Sequence, residues 1–167
     1  MSLITEDGTG KSTAESYIGV TDADTYHTNR GNTAWTGAEA VKEAALRKAT
    51  DYMEQVYRSR WKGLRVLSTQ ALSWPRNYCY VADKMDYFAT DEIPTEVKNA
   101  CAKLALKSLS GALYGDLSQN VTEKTVGPIT KRMDPYSPQS KRYVAVDAML
   151  APYLDGTGGM IAGLERV

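Results

Sequence analysis

A short run near the N-terminus has the residue types of a phosphate-binding loop. It reads Gly8-Thr9-Gly10-Lys11-Ser12-Thr13, and glycines followed by lysine and serine can hold the phosphates of a nucleotide. The full motif also needs a glycine where Thr5 stands, a buried strand before the loop and an apolar helix after it. Leu3-Ile4 is too short for such a strand. We therefore interpret residues 1–15 as a flexible N-terminal arm and not as a nucleotide site.

The chain has few of the side chains that catalysis or metal binding requires. His27 is the only histidine, so any nucleophilic triad would have to use it. The cysteines, Cys79 and Cys101, lack the spacing of a zinc or redox pair. Neighbouring acids such as Asp22 and Asp24 come at a predicted helix start, where carboxylates favour the helix dipole. We therefore expect neither an enzyme nor a bound metal or cofactor.

Charge is balanced over the chain but separated along it. The 20 Lys and Arg equal the 20 Asp and Glu, which argues against a protein that holds nucleic acid mainly through a basic excess. A basic segment is nevertheless followed by an acidic one. The basic residues are Arg58, Arg60, Lys62, Arg65 and Arg76, and the acidic residues are Asp83, Asp86, Asp91 and Glu92. These are either two solvated loops, or contacts between neighbouring subunits of a ring, or, for the basic residues, contacts to DNA phosphates.

Apolar periodicity predicts a mainly α fold with two long helices. The first follows a capping box at Thr36 and Glu39 and continues to about Tyr57. The second begins at Ile93-Pro94, where proline suits the first turn, and ends near Tyr114.

Shorter elements complete the predicted domain. Short N- and C-terminal helices are expected over about 22–30 and 143–154. Glu123–Val126 and Ile129–Arg132 are expected to be extended, either as the two arms of a short β-hairpin or as one bent strand. The domain therefore covers 16–154 and lies between extended terminal arms, of which the C-terminal one, 155–167, is a glycine-rich tail.

Residues 77–92 are predicted to be a long irregular loop rich in aromatic side chains. Tyr78, Tyr80, Tyr87 and Phe88 could stack on bases, or could pack on the domain itself or on a protein partner. The sequence has no run of about 18 apolar residues, and its N-terminus is polar and acidic. We therefore expect no membrane span, no signal peptide and a protein that stays in the cytoplasm.

Four stretches of the sequence, in the same order, resemble one known family. They are residues 45–52, the element Gln70-Ala71-Leu72-Ser73-Trp74-Pro75-Arg76, residues 93–100 and residues 126–129. The family is that of the tailed-bacteriophage head-to-tail adaptor or head-completion proteins. The same sequences are also labelled DnaT-like single-stranded-DNA-binding proteins. The resemblance covers about residues 16–154, and the element ending at Arg76 is its most specific part.

The resemblance implies a small helical bundle with a short β-hairpin, and a structural protein of the virion neck. About twelve copies would form a homo-oligomeric ring beneath the portal protein, extend the channel for double-stranded DNA and offer a platform to a downstream neck or tail protein. Assembly would take place in the host cytoplasm. The basic and acidic residues named above would then form subunit interfaces or line the DNA channel. The implied portal contacts are Tyr143, Val146, Met149, Leu150, Tyr153, Met160, Ile161 and Leu164.

The alternative is a single-stranded-DNA-binding module. It would combine the basic residues from Arg58 to Arg76 with the aromatic loop.

Overall fold

Helices and short antiparallel strand pairs form the protein in the computed structural model, which describes residues 2–114, 123–126, 129–132 and 142–156. The helices are α1 Val20–Thr28, α2 Glu39–Tyr57, α3 Thr95–Leu109 and α4 Val144–Leu150, and a 3-10 turn, Ala151–Tyr153, follows α4. The strands are β1 Leu64–Arg65, β2 Arg76–Asn77, β3 Tyr80–Val81, β4 Asp86–Tyr87, β5 Glu123–Val126 and β6 Ile129–Arg132. They pair as β1–β2, β3–β4 and β5–β6, and the last pair is the predicted hairpin. Among the described residues, no helix is long and apolar enough to span a membrane.

Helix α3 contacts each of the other three helices. It starts directly after Pro94, as predicted, and buries apolar residues at three- and four-residue steps. These are Val97, Ala100, Cys101, Leu104 and Ala105. The Ser108 hydroxyl donates to the Ala45 carbonyl, and the Thr50 hydroxyl lies 3.4 Å from the Cys101 sulfur. These contacts show that α2 and α3 run in opposite directions.

The mainly helical prediction is confirmed, but a bundle of two long helices is too simple a description. Helix α3 ends at Leu109 and not near Tyr114, and α2 begins after Ala38 without a side-chain cap from Thr36. The chain between α2 and α3 also supplies much of the core. Its buried hydrophobic residues are Trp61, Leu72, Trp74, Cys79, Val81 and Ile93.

An aromatic cluster around Trp74 joins this inter-helix segment to the rest of the domain. The Trp74 ring is fully buried and meets Trp61, Phe88 and Tyr153 edge to face, at centroid distances of 5.8, 5.7 and 5.7 Å. The Tyr153 hydroxyl donates to a Glu96 carboxylate oxygen at 2.7 Å. The cluster therefore connects the segment to the first turn of α3 and to the end of the C-terminal helix.

The guanidinium of Arg76 is buried and donates to four backbone carbonyls. Its Nε bonds Lys62 O at 2.7 Å, and its Nη2 bonds Gly63 O at 2.6 Å and Trp61 O at 3.4 Å. Its Nη1 bonds Ser73 O at 3.1 Å. One side chain thus satisfies carbonyls from two separate stretches of chain, which fixes the corner between α2 and β2.

The N-terminal segment, predicted to be an arm, packs against the domain over residues 2–15. The Glu6 side chain is 2% exposed, and its carboxylate accepts the backbone N–H groups of Gly8, Gly10 and Lys11 at 3.0, 2.9 and 2.8 Å. Gly8 lies so close to Asp91 that a Cβ there would come 1.9 Å from the Asp91 carbonyl oxygen. The amides that could hold a phosphate therefore already bind a carboxylate of the same chain. The tail beyond Gly156 lies outside the described residues.

His27 is buried between α1 and α3 as a neutral imidazole. Its Nε2 is 3.1 Å from the Ala102 carbonyl, which can only accept, so this nitrogen carries the proton. Its Nδ1 accepts from the Asn32 side-chain amide at 3.1 Å, and the ring packs on Trp35 at a centroid distance of 4.7 Å. Burial lowers the pKa of His27 below its ordinary value.

Replacing Arg76 with lysine should lower the free energy of unfolding by about 3 kcal/mol. A lysine cannot reach the same carbonyls with a planar, five-donor group, so buried acceptors lose their partners. The measurement is the urea midpoint. The control is Arg58→Lys at an exposed site, where a change within about 0.5 kcal/mol is expected. Equal midpoints for the two variants would contradict the structural role of Arg76.

Stability should fall as the pH drops below about 6.5, the ordinary pKa of histidine. Because the folded pKa is lower, the unfolded chain binds more protons in this range, and folding is favoured as the pH rises. Urea midpoints between pH 5 and 8 should show this step for the wild type and lose it in His27→Gln. Carboxylates titrate near pH 4 and do not mask it. If the wild type and His27→Gln show the same loss of stability, the step comes from a group other than His27.

Candidate functional site

The basic residues predicted to contact DNA or a neighbouring subunit do not form one open surface. Arg76 is the clearest correction, because it is buried and its guanidinium binds the chain's own carbonyls. The Lys62 ammonium donates to Pro152 O at 2.8 Å, and Arg65 Nη1 donates to Gln70 O at 3.4 Å. The Arg60 guanidinium lies over the Tyr57 ring, at 5.8 Å from its centroid. Burial lowers the pKa of Arg76, but not enough to discharge a guanidinium.

The acidic residues predicted to meet them are exposed and come together in one part of the chain. They are Asp83, Asp86, Asp91 and Glu92. Within the described residues no ion pair joins any of them to the basic segment. Their role in an interface between subunits stays a prediction.

The loop at 77–92 contains an exposed aromatic hairpin that the sequence did not predict. In the β3–β4 pair, Tyr80 lies opposite Tyr87, and their ring centroids are 5.6 Å apart. The Tyr87 side chain is 62% exposed and Tyr80 is 43% exposed, whereas Val81, the next residue along β3, is buried. Strand β3 therefore packs on the core through Val81 and presents Tyr80 to solvent, whereas both residues of β4 are exposed. The chain offers only a weak signal for it, the β-forming pairs Tyr80-Val81 and Tyr87-Phe88.

A second hairpin extends this exposed apolar surface. Leu64 of β1 pairs with Asn77 of β2 and is 66% exposed. Tyr78, which follows Asn77, is 73% exposed, and Met85 at the turn of the other hairpin is 82% exposed. Gly63 lets the start of β1 approach the end of β2 closely, because a Cβ there would lie 2.1 Å from Asn77 O. We call Leu64, Tyr78, Tyr80, Met85 and Tyr87 the aromatic face.

Cations stand at the margins of the aromatic face. Lys62 and Arg65 lie near Leu64 in the chain and are half-buried, with the Lys62 ammonium on Pro152 O and Arg65 Nη1 on Gln70 O. Lys84 is exposed at the β3–β4 turn, with its ammonium 5.3 Å from the Phe88 ring centroid. Planar rings bordered by positive charge can stack on the faces of bases and attract the phosphates that connect them.

The C-terminal helix uses its predicted contact residues inside the protein. Val146, Leu150 and Tyr153 are buried, and Tyr143 and Met149 are half-buried against the core. These five side chains therefore hold α4 to its own domain and are not displayed to a partner. The other predicted contacts, Met160, Ile161 and Leu164, lie outside the described residues.

The family comparison covers the full length of the chain. Residues 1–167 match a family model with the description "Putative DnaT-like ssDNA binding protein". Comparison with curated proteins and with solved structures found no match.

This match corrects the function implied by the sequence resemblance. Of the two labels that the resemblance carried, the DnaT-like label is confirmed, and nothing supports a phage adaptor. The expectation of a virion neck ring that binds a portal protein is therefore wrong, and the single-stranded-DNA alternative agrees better with the family. The chain belongs to the family of DnaT-like single-stranded-DNA-binding proteins.

Proposed function

We propose that the protein binds single-stranded DNA by stacking bases on its aromatic face. The observation that carries the proposal is the cross-strand pair of exposed tyrosines, Tyr80 and Tyr87, on a hairpin held by the core. The family description points to the same ligand class. Tyrosine rings on a β-hairpin are suited to successive unpaired bases, because every base has a π-face.

Stacking should contribute more to the affinity than charge. Base–aromatic stacking is worth about 1–3 kcal/mol per base, without sequence preference. The whole chain carries no net charge, and the exposed acids Asp83 and Asp86 lie on the same hairpin as Lys84. Phosphate attraction is therefore limited to Lys62, Arg65 and Lys84 at the margins. Single strands should be preferred over duplex DNA, whose bases are already stacked on each other.

Removing both hairpin rings, in Tyr80→Ala with Tyr87→Ala, should weaken binding about 30-fold or more, since each lost stack costs at least about 1 kcal/mol. The measurement is fluorescence anisotropy with a labelled oligothymidylate at low salt. Both side chains are exposed and outside the core, so the fold should be kept. The matched control is Tyr80→Phe with Tyr87→Phe, which keeps the rings and should bind nearly as the wild type does. Unchanged binding by the double alanine variant would refute the proposed surface.

The salt dependence of binding should be shallow. Neutralisation of phosphates by three cations gives a slope of log K against log salt of about −2 for a single strand. Lys84→Ala should make the slope less negative by about 0.7. The control is Lys107→Ala, an exposed lysine in the last turn of α3, which should leave the slope unchanged. A slope several times steeper, or one that responds to Lys107 and not to Lys84, would place the strand elsewhere.

A further inference from the structure

A cavity of about 570 Å³ lies between α2 and the chain that follows α3. Lys48, Asp51, Tyr52 and Gln55 line it from α2, and the segment from Ser108 to Tyr114 lines it from the other side. Its size lies within the range of about 300–1,000 Å³ that small-molecule sites occupy. The aromatic face adjoins the Trp74 cluster at the first turn of α3, and this cavity lies at the last turn. A 15-residue helix separates them by about 22 Å.

Tyrosine rings form one wall of the cavity. Tyr52 is buried, and its ring centroid lies 6.0 Å from that of Tyr114 and 5.4 Å from that of Tyr143. Burial raises the pKa of Tyr52 to about 12, so its phenol is neutral at physiological pH. The Tyr114 side chain is 63% exposed. The outer ring is thus supported from behind by a packed aromatic pair while much of its own surface remains open to a ligand.

Three polar side chains reach the cavity from one stripe of α2. Lys48, Asp51 and Gln55 are spaced by three and four residues and therefore share a helix face. None of them makes a hydrogen bond or ion pair with another residue of the described part of the chain. Although the Asp51 side chain is exposed, desolvation of its carboxylate against the protein and the nearby Glu54 carboxylate raise its pKa. A cation, a carboxylate and an amide, unpaired within the described ranges of the chain, thus converge beside an open aromatic ring.

We propose that this cavity binds a nucleotide whose base carries an exocyclic amino group, with adenine as the best match. The base would stack on Tyr114, and the Lys48 ammonium would meet the phosphate. Asp51 would accept a hydrogen bond from the amino group, and Gln55 could pair with an adenine edge through both its amide groups. Thymine has no amino group to donate and should bind more weakly. The site is separate from the aromatic face and does not depend on the function proposed for it.

The test is a titration of the full chain with deoxyadenosine monophosphate, followed by amide NMR shifts. Shifts should be centred on residues 48–55 and 108–114, and thymidine monophosphate should bind at least about fivefold more weakly. Tyr114→Ala should weaken binding about tenfold. Lys48→Ala should weaken binding of the monophosphate but not of deoxyadenosine. Asp51→Asn should reduce the ratio of the affinities for deoxyadenosine monophosphate and thymidine monophosphate. All three residues are exposed, and Lys107→Ala is the matched control that should bind as the wild type does.

Several results would overturn the proposal. One is the absence of shifts at the cavity at millimolar nucleotide. Another is that deoxyribose 5-phosphate binds as tightly as deoxyadenosine monophosphate. This would show that the affinity comes from the contact between the lysine and the phosphate and not from the base. A third is loss of the nucleotide shifts in Tyr80→Ala with Tyr87→Ala, which would place the base on the aromatic face. If oligothymidylate fails to bind while the nucleotide still shifts the amide signals of the cavity residues, the proposed function is wrong and the nucleotide site is supported.

Discussion

The buried guanidinium of Arg76 is the contact on which the inter-helix segment depends. Four carbonyl oxygens, from Trp61, Lys62, Gly63 and Ser73, converge on it. The strands on either side are only two residues long, so regular pairing cannot satisfy these carbonyls. The Arg76 side chain therefore supplies the hydrogen bonds that a longer sheet would otherwise make. The positions of the Trp74 cluster and of both exposed hairpins depend on these bonds.

The sequence does not show whether an arginine in a basic run will bind phosphate groups or the protein's own backbone carbonyls. Its planar group of five donors suits DNA oxygens and carbonyl oxygens alike, and only the path of the chain decides between them. Arg76 and Lys62 donate to the protein's own carbonyls. The run from Arg58 to Arg76 therefore offers fewer free cations to a ligand than its sequence indicates. This internal use agrees with a chain whose net charge is zero.

The sequence predicts those parts of the fold in which local pattern and packing agree. Helices α2 and α3 carry a clear apolar face, and Pro94 marks the start of α3. Prediction fails where contacts between residues far apart in the sequence determine the local structure. The N-terminal glycine loop is shaped by the buried Glu6 carboxylate, and the β3–β4 strands are too short to show a period of two. The cavity beside Tyr114 forms only because the chain turns back over α2 after Leu109.

The most specific motif in the sequence identifies the family but not its ligand. In the element that ends at Arg76, Gln70 donates to the Leu72 and Pro75 carbonyls, and Trp74 fills the aromatic cluster. These residues fold the corner, and ligand-binding residues commonly lie on loops that such a scaffold positions. Here the scaffold directs the Arg76 guanidinium inward and leaves tyrosines exposed at the neighbouring turns. Such a surface suits the faces of bases better than phosphates, which is what the proposed binding of single strands requires of a chain with no net charge.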